Sequence, residues 1–307
     1  MQCELAVLVA IIAGSYAGVV FPSTHDGATL APSVLVDSLQ HWGRQAASTY
    51  ERFEDWDACA ACQHPDIADT QVNATWSTMV PAFSRGYVGI QHARREVVVA
   101  VRGTTHVMDA LADAQLVQVP WPADTRAHVH AGFLLAYRAA RPHILGALRQ
   151  IEDDPELAGY SVRFLGHSLG AAQASLAFAD YVQRANTTER RRYQLVTMGA
   201  PRVGDSGFAA ILDALATEHA AGGVQGFGVL RVVHANDIVV HLPRVLGRYV
   251  HGGREVWARG SDAAGWELRV CRRAGEDPGC SASVGPLWWS MGDHLEYPGM
   301  RLGIPKY

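Results

Sequence analysis

The segment Phe164-Leu165-Gly166-His167-Ser168-Leu169-Gly170 does most to narrow what this chain can fold into. It joins a predicted strand, Val162 to Leu165, to a predicted helix, Leu169 to about Arg184. Glycine two residues before and two residues after a serine marks a strand–turn–helix corner. That corner is so tight that a side chain at Gly166 or Gly170 would collide with it. The helix then opens with Ala171-Ala172-Gln173-Ala174-Ser175, small residues that let it approach a sheet, and its N-terminal dipole faces the serine. Bare G-x-S-x-G matches occur by chance; the strand before this one and the small-residue helix after it set it apart.

Such a corner needs neighbouring strands, and the flanking sequence supplies them. A helix over Ser33 to about Arg52 leads to a hairpin of Gly86–Ile90 and Glu96–Arg102, turning at Ala93-Arg94-Arg95. Its second strand is continuously apolar, as a strand buried on both faces should be. Beyond it, a helix over Gly132–Ile151, a strand at Leu195–Met198, a helix at Phe208–His219 and a strand at Val229–Val233 alternate with the corner elements. This order implies βαβ units: an α/β fold with a mostly parallel sheet covered by helices. The last third, with Trp257, Trp266, Trp288 and Trp289, reads as loop-rich. A chain of 307 residues that is 49% apolar and 18% charged has material for one large core, and neither repeats nor low-complexity tracts interrupt it. Residues 19–307 are therefore read as one domain.

The first 18 residues read as a secretory leader, with an apolar stretch Leu5–Ala13 and a small-x-small site at Ser15-Tyr16-Ala17. Glu4 and the missing basic residues are atypical of a leader, and the uncharged run Leu5–Phe21 is also long enough for an anchor. Loss of Cys3 leaves Cys59, Cys62, Cys271 and Cys280, an even set suited to two disulfides of open connectivity. With sequons at Asn73 and Asn186, these features point to a secreted, extracellular protein. A net charge of −4 offers no basic field for nucleic acid, and a single lysine, Lys306, all but removes lysine chemistry.

A serine needs a histidine base steered by a carboxylate, and at this kind of corner they follow in the order Ser, Asp or Glu, His. Asp237 lies just beyond the strand Val229–Val233, where α/β sheets place their sites. His241, His251 and His294 follow, and spacing alone does not rank them. Other motifs have plainer readings. Gly204-Asp205-Ser206-Gly207 mimics a protease signature but precedes a helix, which Asp205 or Ser206 caps. Cys59-Ala-Ala-Cys62 lacks the strand of a redox motif and the second pair of a zinc site. His128 and His130 alternate with no carboxylate cluster near them, so no metal is expected.

From about Ser84 to Gly303 the sequence resembles the fungal class 3 lipases of the α/β-hydrolase fold. The likeness runs through Val101-Arg102-Gly103-Thr104, Val129-His130-Ala131-Gly132-Phe133, Gly166–Gly170, Gly199-Ala200-Pro201-Arg202-Val203-Gly204, Arg231–Ile238, Leu242-Pro243, Tyr249-Val250-His251 and Asp293-His294-Leu295-Glu296-Tyr297. Ala171 stands where the family often has a second glycine, and Val240 where proline is common; neither touches the chemistry. The resemblance implies Ser168 as nucleophile, Asp237 as orienting acid and His294 as base, with His251 and Glu255 structural. It also implies an oxyanion hole from the N–H groups of Thr104 and Leu169.

After Thr104, Val107, Met108, Leu111 and Leu116 form an apolar stripe opposite Asp109 and Asp113, the pattern of an amphipathic helix. In related lipases the equivalent segment is a lid. This apolar stripe suits acyl chains better than the more polar lids of the family's feruloyl esterases, which resemble the chain around Val270–Tyr297. The expectation is an acylglycerol lipase acting on lipid ester at an oil–water interface, with no cofactor, metal or obligate protein partner implied. A feruloyl or other soluble carboxylesterase is the alternative; a catalytically silent lipid-binding relative is opposed by the intact Ser168, Asp237 and His294 set.

Overall fold

The computed structural model describes residues 29–30, 33–80, 82–104, 117–184, 192–219, 228–244 and 248–302. The predicted leader 1–18, the stripe residues Val107, Met108, Leu111 and Leu116, and the sequon at Asn186 lie outside the described residues.

The strands are β1 (Thr29–Leu30), β2 (Gln71–Thr78), β3 (Ser84–Gln91), β4 (Glu96–Val101), β5 (Gln118–Trp121), β6 (Asp124–His130) and β7 (Ser161–His167). They continue with β8 (Tyr193–Met198), β9 (Val229–His234), β10 (Arg254–Ser261), β11 (Gly265–Ala274), β12 (Glu296–Tyr297) and β13 (Met300–Arg301). The helices are α1 (Ser33–Ser48), α2 (Ala131–Glu152), α3 (Leu169–Val182), α4 (Ser206–Glu218) and the single turn α5 (Met291–His294).

Nine strands form one sheet in the order β1-β11-β10-β9-β8-β7-β4-β3-β2. β4, β7, β8, β9 and β10 pair in parallel; β1, β11, β3 and β2 add antiparallel flanks. The central strands are apolar on both sides because both faces are covered. In β4, Val97, Val99 and Val101 join the core beneath α2, α3 and α4, whereas Val98 and Ala100 face the core beneath α1. The expected α/β architecture is therefore present, parallel at its centre.

The expected elements match to within a few residues. α1 stops at Ser48 rather than near Arg52, and α2 carries Pro142 inside its 22 residues. The region read as loop-rich is different: β10 and β11 are a long hairpin that extends the main sheet, with Trp257 buried. β10 hides both faces, so its burial runs together instead of alternating, and Gly260 and Gly265 mask the turn as loop. β2, also unanticipated, closes the opposite edge, and Asn73 stands exposed at its bulge. Asp205 does cap α4, accepting from the Phe208 N–H at 3.0 Å. His130 caps α2, its Nδ1 accepting from the N–H groups of Gly132 and Phe133.

The cysteine pairing left open by the sequence is Cys59–Cys62 and Cys271–Cys280. Among the described residues, Glu255 with Cys271 and Cys280 is the one cluster with metal-ligand spacing. Its sulfurs are joined to each other, and Glu255 is bonded to Arg231 at 3.0 Å and to the Ser281 N–H at 2.9 Å.

Candidate active site

The corner between β7 and α3 is as tight as its glycines suggest. A Cβ on Gly166 would stand 2.4 Å from the Gly170 oxygen, and one on Gly170 would stand 2.2 Å from the Val101 oxygen. Between them Ser168 adopts φ 59° and ψ −129°, a conformation costly for any side-chain-bearing residue. Its N–H bonds the Met198 oxygen at 3.0 Å, so the strain is held by continuation of the β7–β8 pairing. The end of β4 passes close by: a Cβ on Gly103 would lie 3.0 Å from the Ser168 Cβ. Thr104 follows directly on that approach. Leu169 opens α3, and the first N–H groups of a helix have no partner within it.

Asp237 lies in the loop after β9, where Ala235 also has positive φ. His294 ends α5 and donates from Nδ1 to Asp237 Oδ2 at 2.8 Å, both residues being fully buried. The two segments are stitched together along their length. Ser290 N–H bonds the Asn236 oxygen at 2.8 Å, Ile238 N–H bonds the Ser290 oxygen at 3.2 Å, and Asn236 N–H bonds Asp293 Oδ2 at 2.9 Å. Ser290 Oγ caps α5 by accepting from the Asp293 N–H. Asp237 and His294 therefore ride on one bonded unit. Ser168 Oγ and His294 Nε2 are both buried, and neither has a hydrogen-bond partner among the described residues.

The other two candidate histidines are spent elsewhere. His251 donates from Nε2 to the Val240 oxygen at 2.8 Å, and His241 lies flat against Trp289 with ring centroids 4.7 Å apart. Glu255 pairs with Arg231. Arg202 forks onto Glu276 and also reaches the oxygens of His241 and Pro243, while Glu276 accepts from the His251 N–H. This network pins the chain that follows Asp237.

A family model described as Lipase (class 3) matches residues 98–246. A lipase of Rhizomucor miehei is 29% identical over 283 residues, which cover 92% of this chain and 74% of the relative. Over most of its length the chain is similar to class 3 lipases. The structure of the Rhizomucor miehei triacylglyceride lipase superposes with a TM-score of 0.76 at 27% identity, covering 91% of this chain and 99% of that one. A secreted mono- and diacylglycerol lipase A of Penicillium camembertii is 26% identical over 83% of this chain and 80% of its own.

Four further residues shape the site without having been singled out for that role from sequence. Tyr297, buried, donates its hydroxyl to Asp237 Oδ2. Burial pushes the Asp237 carboxyl up, but His294, Tyr297 and the Val239 N–H together hold it below the ordinary aspartate value. Tyr297 is correspondingly pushed well above an ordinary tyrosine by burial and by the Asp237 charge. His167 accepts from the Tyr50 hydroxyl at 2.7 Å through Nδ1 and donates from Nε2 to the His294 oxygen at 2.8 Å, so His294 is gripped through its backbone as well. Burial, then the nearby His294, lowers His167 to about 3, which keeps it neutral. Gly199, at φ 58°, follows β8 so closely that a Cβ there would lie 2.8 Å from both Asp237 Oδ2 and His294 Nδ1. The only sequence signals were the Gly199-Ala200-Pro201 run, the tyrosine three places after His294 and the histidine next to Ser168.

Proposed function

We propose that this protein is a secreted acylglycerol lipase that works by acyl transfer through Ser168. One observation carries the reading. A serine on a strained β–α corner and a histidine bonded to a buried carboxylate each leave their reactive atom, Oγ and Nε2, unpartnered in one buried site. Ser168 Oγ adds to the ester carbonyl carbon while its proton passes to His294 Nε2. The C–O bond to the alcohol then breaks, and His294 returns that proton to the departing oxygen. Water, deprotonated by the same nitrogen, releases the acid and restores Ser168. Asp237 keeps its charge throughout, holding His294 in the tautomer that presents Nε2 and stabilising the imidazolium. The N–H groups of Thr104 and Leu169 serve the oxyanion, and loss of one such donor typically costs about 10²–10³ in rate.

Secretion is supported by the leader-like N terminus, the two disulfides and the exposed sequon Asn73; among the described residues no helix is long and apolar enough to cross a membrane. The amphipathic pattern of residues 105–116 supports a lid that gates access from an oil surface. Hydrolysis of one short-chain ester, followed through its solubility limit with Ser168→Ala as control, tests the whole reading. A rate jump when the second phase appears is expected. Smooth saturation below that limit would make the protein a soluble carboxylesterase, and activity surviving in Ser168→Ala would remove the nucleophile.

A further inference from the structure

Scattered exposed apolar residues are ordinary on a protein surface, but adjacent pairs gathered at one end of a sheet are not. Leu287 is 96% exposed and Trp288 70%; Met79 is 73% exposed and Val80 87%. The strand topology places both pairs at the end that carries the site. β4, β7 and β9 run parallel and deliver Gly103-Thr104, Ser168 and Asp237 from their C-terminal ends. β3 runs against β4 with Gly86 opposite Val101, and β2 runs against β3 with Thr78 opposite Ser84. The Met79–Val80 turn therefore emerges at that same end. Leu287 and Trp288 precede Ser290, the residue bridged to Asp237.

The Leu287–Trp288 turn is held in place. The neighbouring Trp289 lies flat on His241, has the Arg244 guanidinium 5.5 Å above it, and donates from Nε1 to the Val284 oxygen at 3.1 Å. Trp288 N–H closes the turn onto the Gly285 oxygen at 3.0 Å. With Trp289 locked inward, Leu287 and Trp288 are kept in water instead of folding back. Both segments, 76–83 and 282–289, contain no Asp, Glu, Lys or Arg. Burying these segments in an apolar phase strips no charge of their own of its water; the cations beside them, Arg244 over Trp289 and Arg102 over Phe83, belong to neighbouring segments.

We propose that Met79–Val80 and Leu287–Trp288 are paired anchors that seat the catalytic end of the sheet on an uncharged lipid surface, independently of residues 105–116. The proposal rests on the lipase reading and names the contact that brings its substrate phase to Ser168. Because Ser290 is bonded to the Asp237 loop, the second anchor is rigidly linked to the acid and base.

Partition onto a phosphatidylcholine-stabilised triolein emulsion, measured by flotation in the Ser168→Ala background, reads binding without turnover. The double variants Leu287→Ser/Trp288→Ser and Met79→Ser/Val80→Ser should each weaken partition by about 10-fold or more, and all four changes by on the order of 100-fold. Val34→Ser is the control. It removes an exposed apolar residue at the far end of α1, since Tyr50, just after the other end, approaches Gly103. Trp288→Phe keeps the apolar anchor, so it should retain partition while losing most of the tryptophan quenching by brominated lipid. Partition unchanged by both double variants would overturn the proposal, as would release by high salt. Self-association in lipid-free solution that Leu287→Ser/Trp288→Ser abolishes would also overturn it, assigning the patch to a second copy. Emulsion binding by Ser168→Ala, with no ester hydrolysis by the parent, would instead sink the lipase reading and leave the anchors standing.

Discussion

Gly199→Ala is the smallest change that reports on how the Asp237–His294 pair is held. Two costs follow from the structure. Alanine at φ 58° gives up roughly 1–2 kcal/mol relative to glycine. The new methyl would also stand 2.8 Å from Asp237 Oδ2 and from the Cε1 and Nδ1 of His294, where ordinary contacts are about 3.5–4.0 Å. Relief needs a shift of roughly 1 Å in a carboxylate and an imidazole that are fully buried and bonded to their surroundings. A misplacement of that size costs about 10²-fold in rate. Hydrolysis of a dissolved ester, normalised to sites titrated with a phosphonate, should therefore show kcat lowered by about 100-fold. Urea unfolding should show a stability loss of about 1–3 kcal/mol. The matched control is Gly146→Ala in α2, where a Cβ meets nothing within 4 Å and helix propensity predicts a gain of up to about 1 kcal/mol. A Gly199→Ala enzyme with kcat within about threefold of the parent would refute the reasoning, because the pair would then tolerate displacement.

Tyr297→Phe removes one of two side-chain donors from the Asp237 carboxylate; a hydrogen bond to a charged group is worth about 1.5–3 kcal/mol, so kcat/KM should fall by roughly 10- to 100-fold, and a change under twofold would deny Tyr297 a positioning role. Tyr50→Phe leaves His167 Nδ1 buried without its donor and should lower stability by about 1–3 kcal/mol in urea titration; an unchanged midpoint would mean the Tyr50–His167–His294 chain is not a support. The buried histidines set the acid limit. Burial lowers His41, His130 and His241 to about 4, so the unfolded chain, with values near 6.5, binds more protons and stability is lost as pH falls from about 6.5 to 4. Each contributes on the order of 3 kcal/mol across that window, and together they rival the whole stability of a typical domain. The melting temperature should be flat above pH 7 and fall steeply below 6; a profile flat to pH 4 would show that these rings do not stay neutral.

The corner at Ser168 and the apolar run of β4 are visible in sequence because their causes are local. Gly166 and Gly170 are required by each other and by the Val101 oxygen across one strand, and β4 needs only two covered faces. The order of strands and helices then leaves little choice about the sheet, and Asp237 follows from its place after β9. What the sequence could not decide lay between distant segments. His241, His251 and His294 are chemically alike; only the stitching of Ser290 and Asp293 to residues 234–238 brings His294, 57 residues on, to Asp237. Tyr50 lies 117 residues from the His167 it supports. Gly199 shows locally only as the start of a Gly-Ala-Pro run, which does not reveal its role, since the atoms that forbid a side chain there belong to Asp237 and His294. Local sterics act over a few bonds and leave a pattern in the chain. The fit of Asp237 to His294 is set by packing across the sheet, and it becomes visible only once the chain has closed on itself.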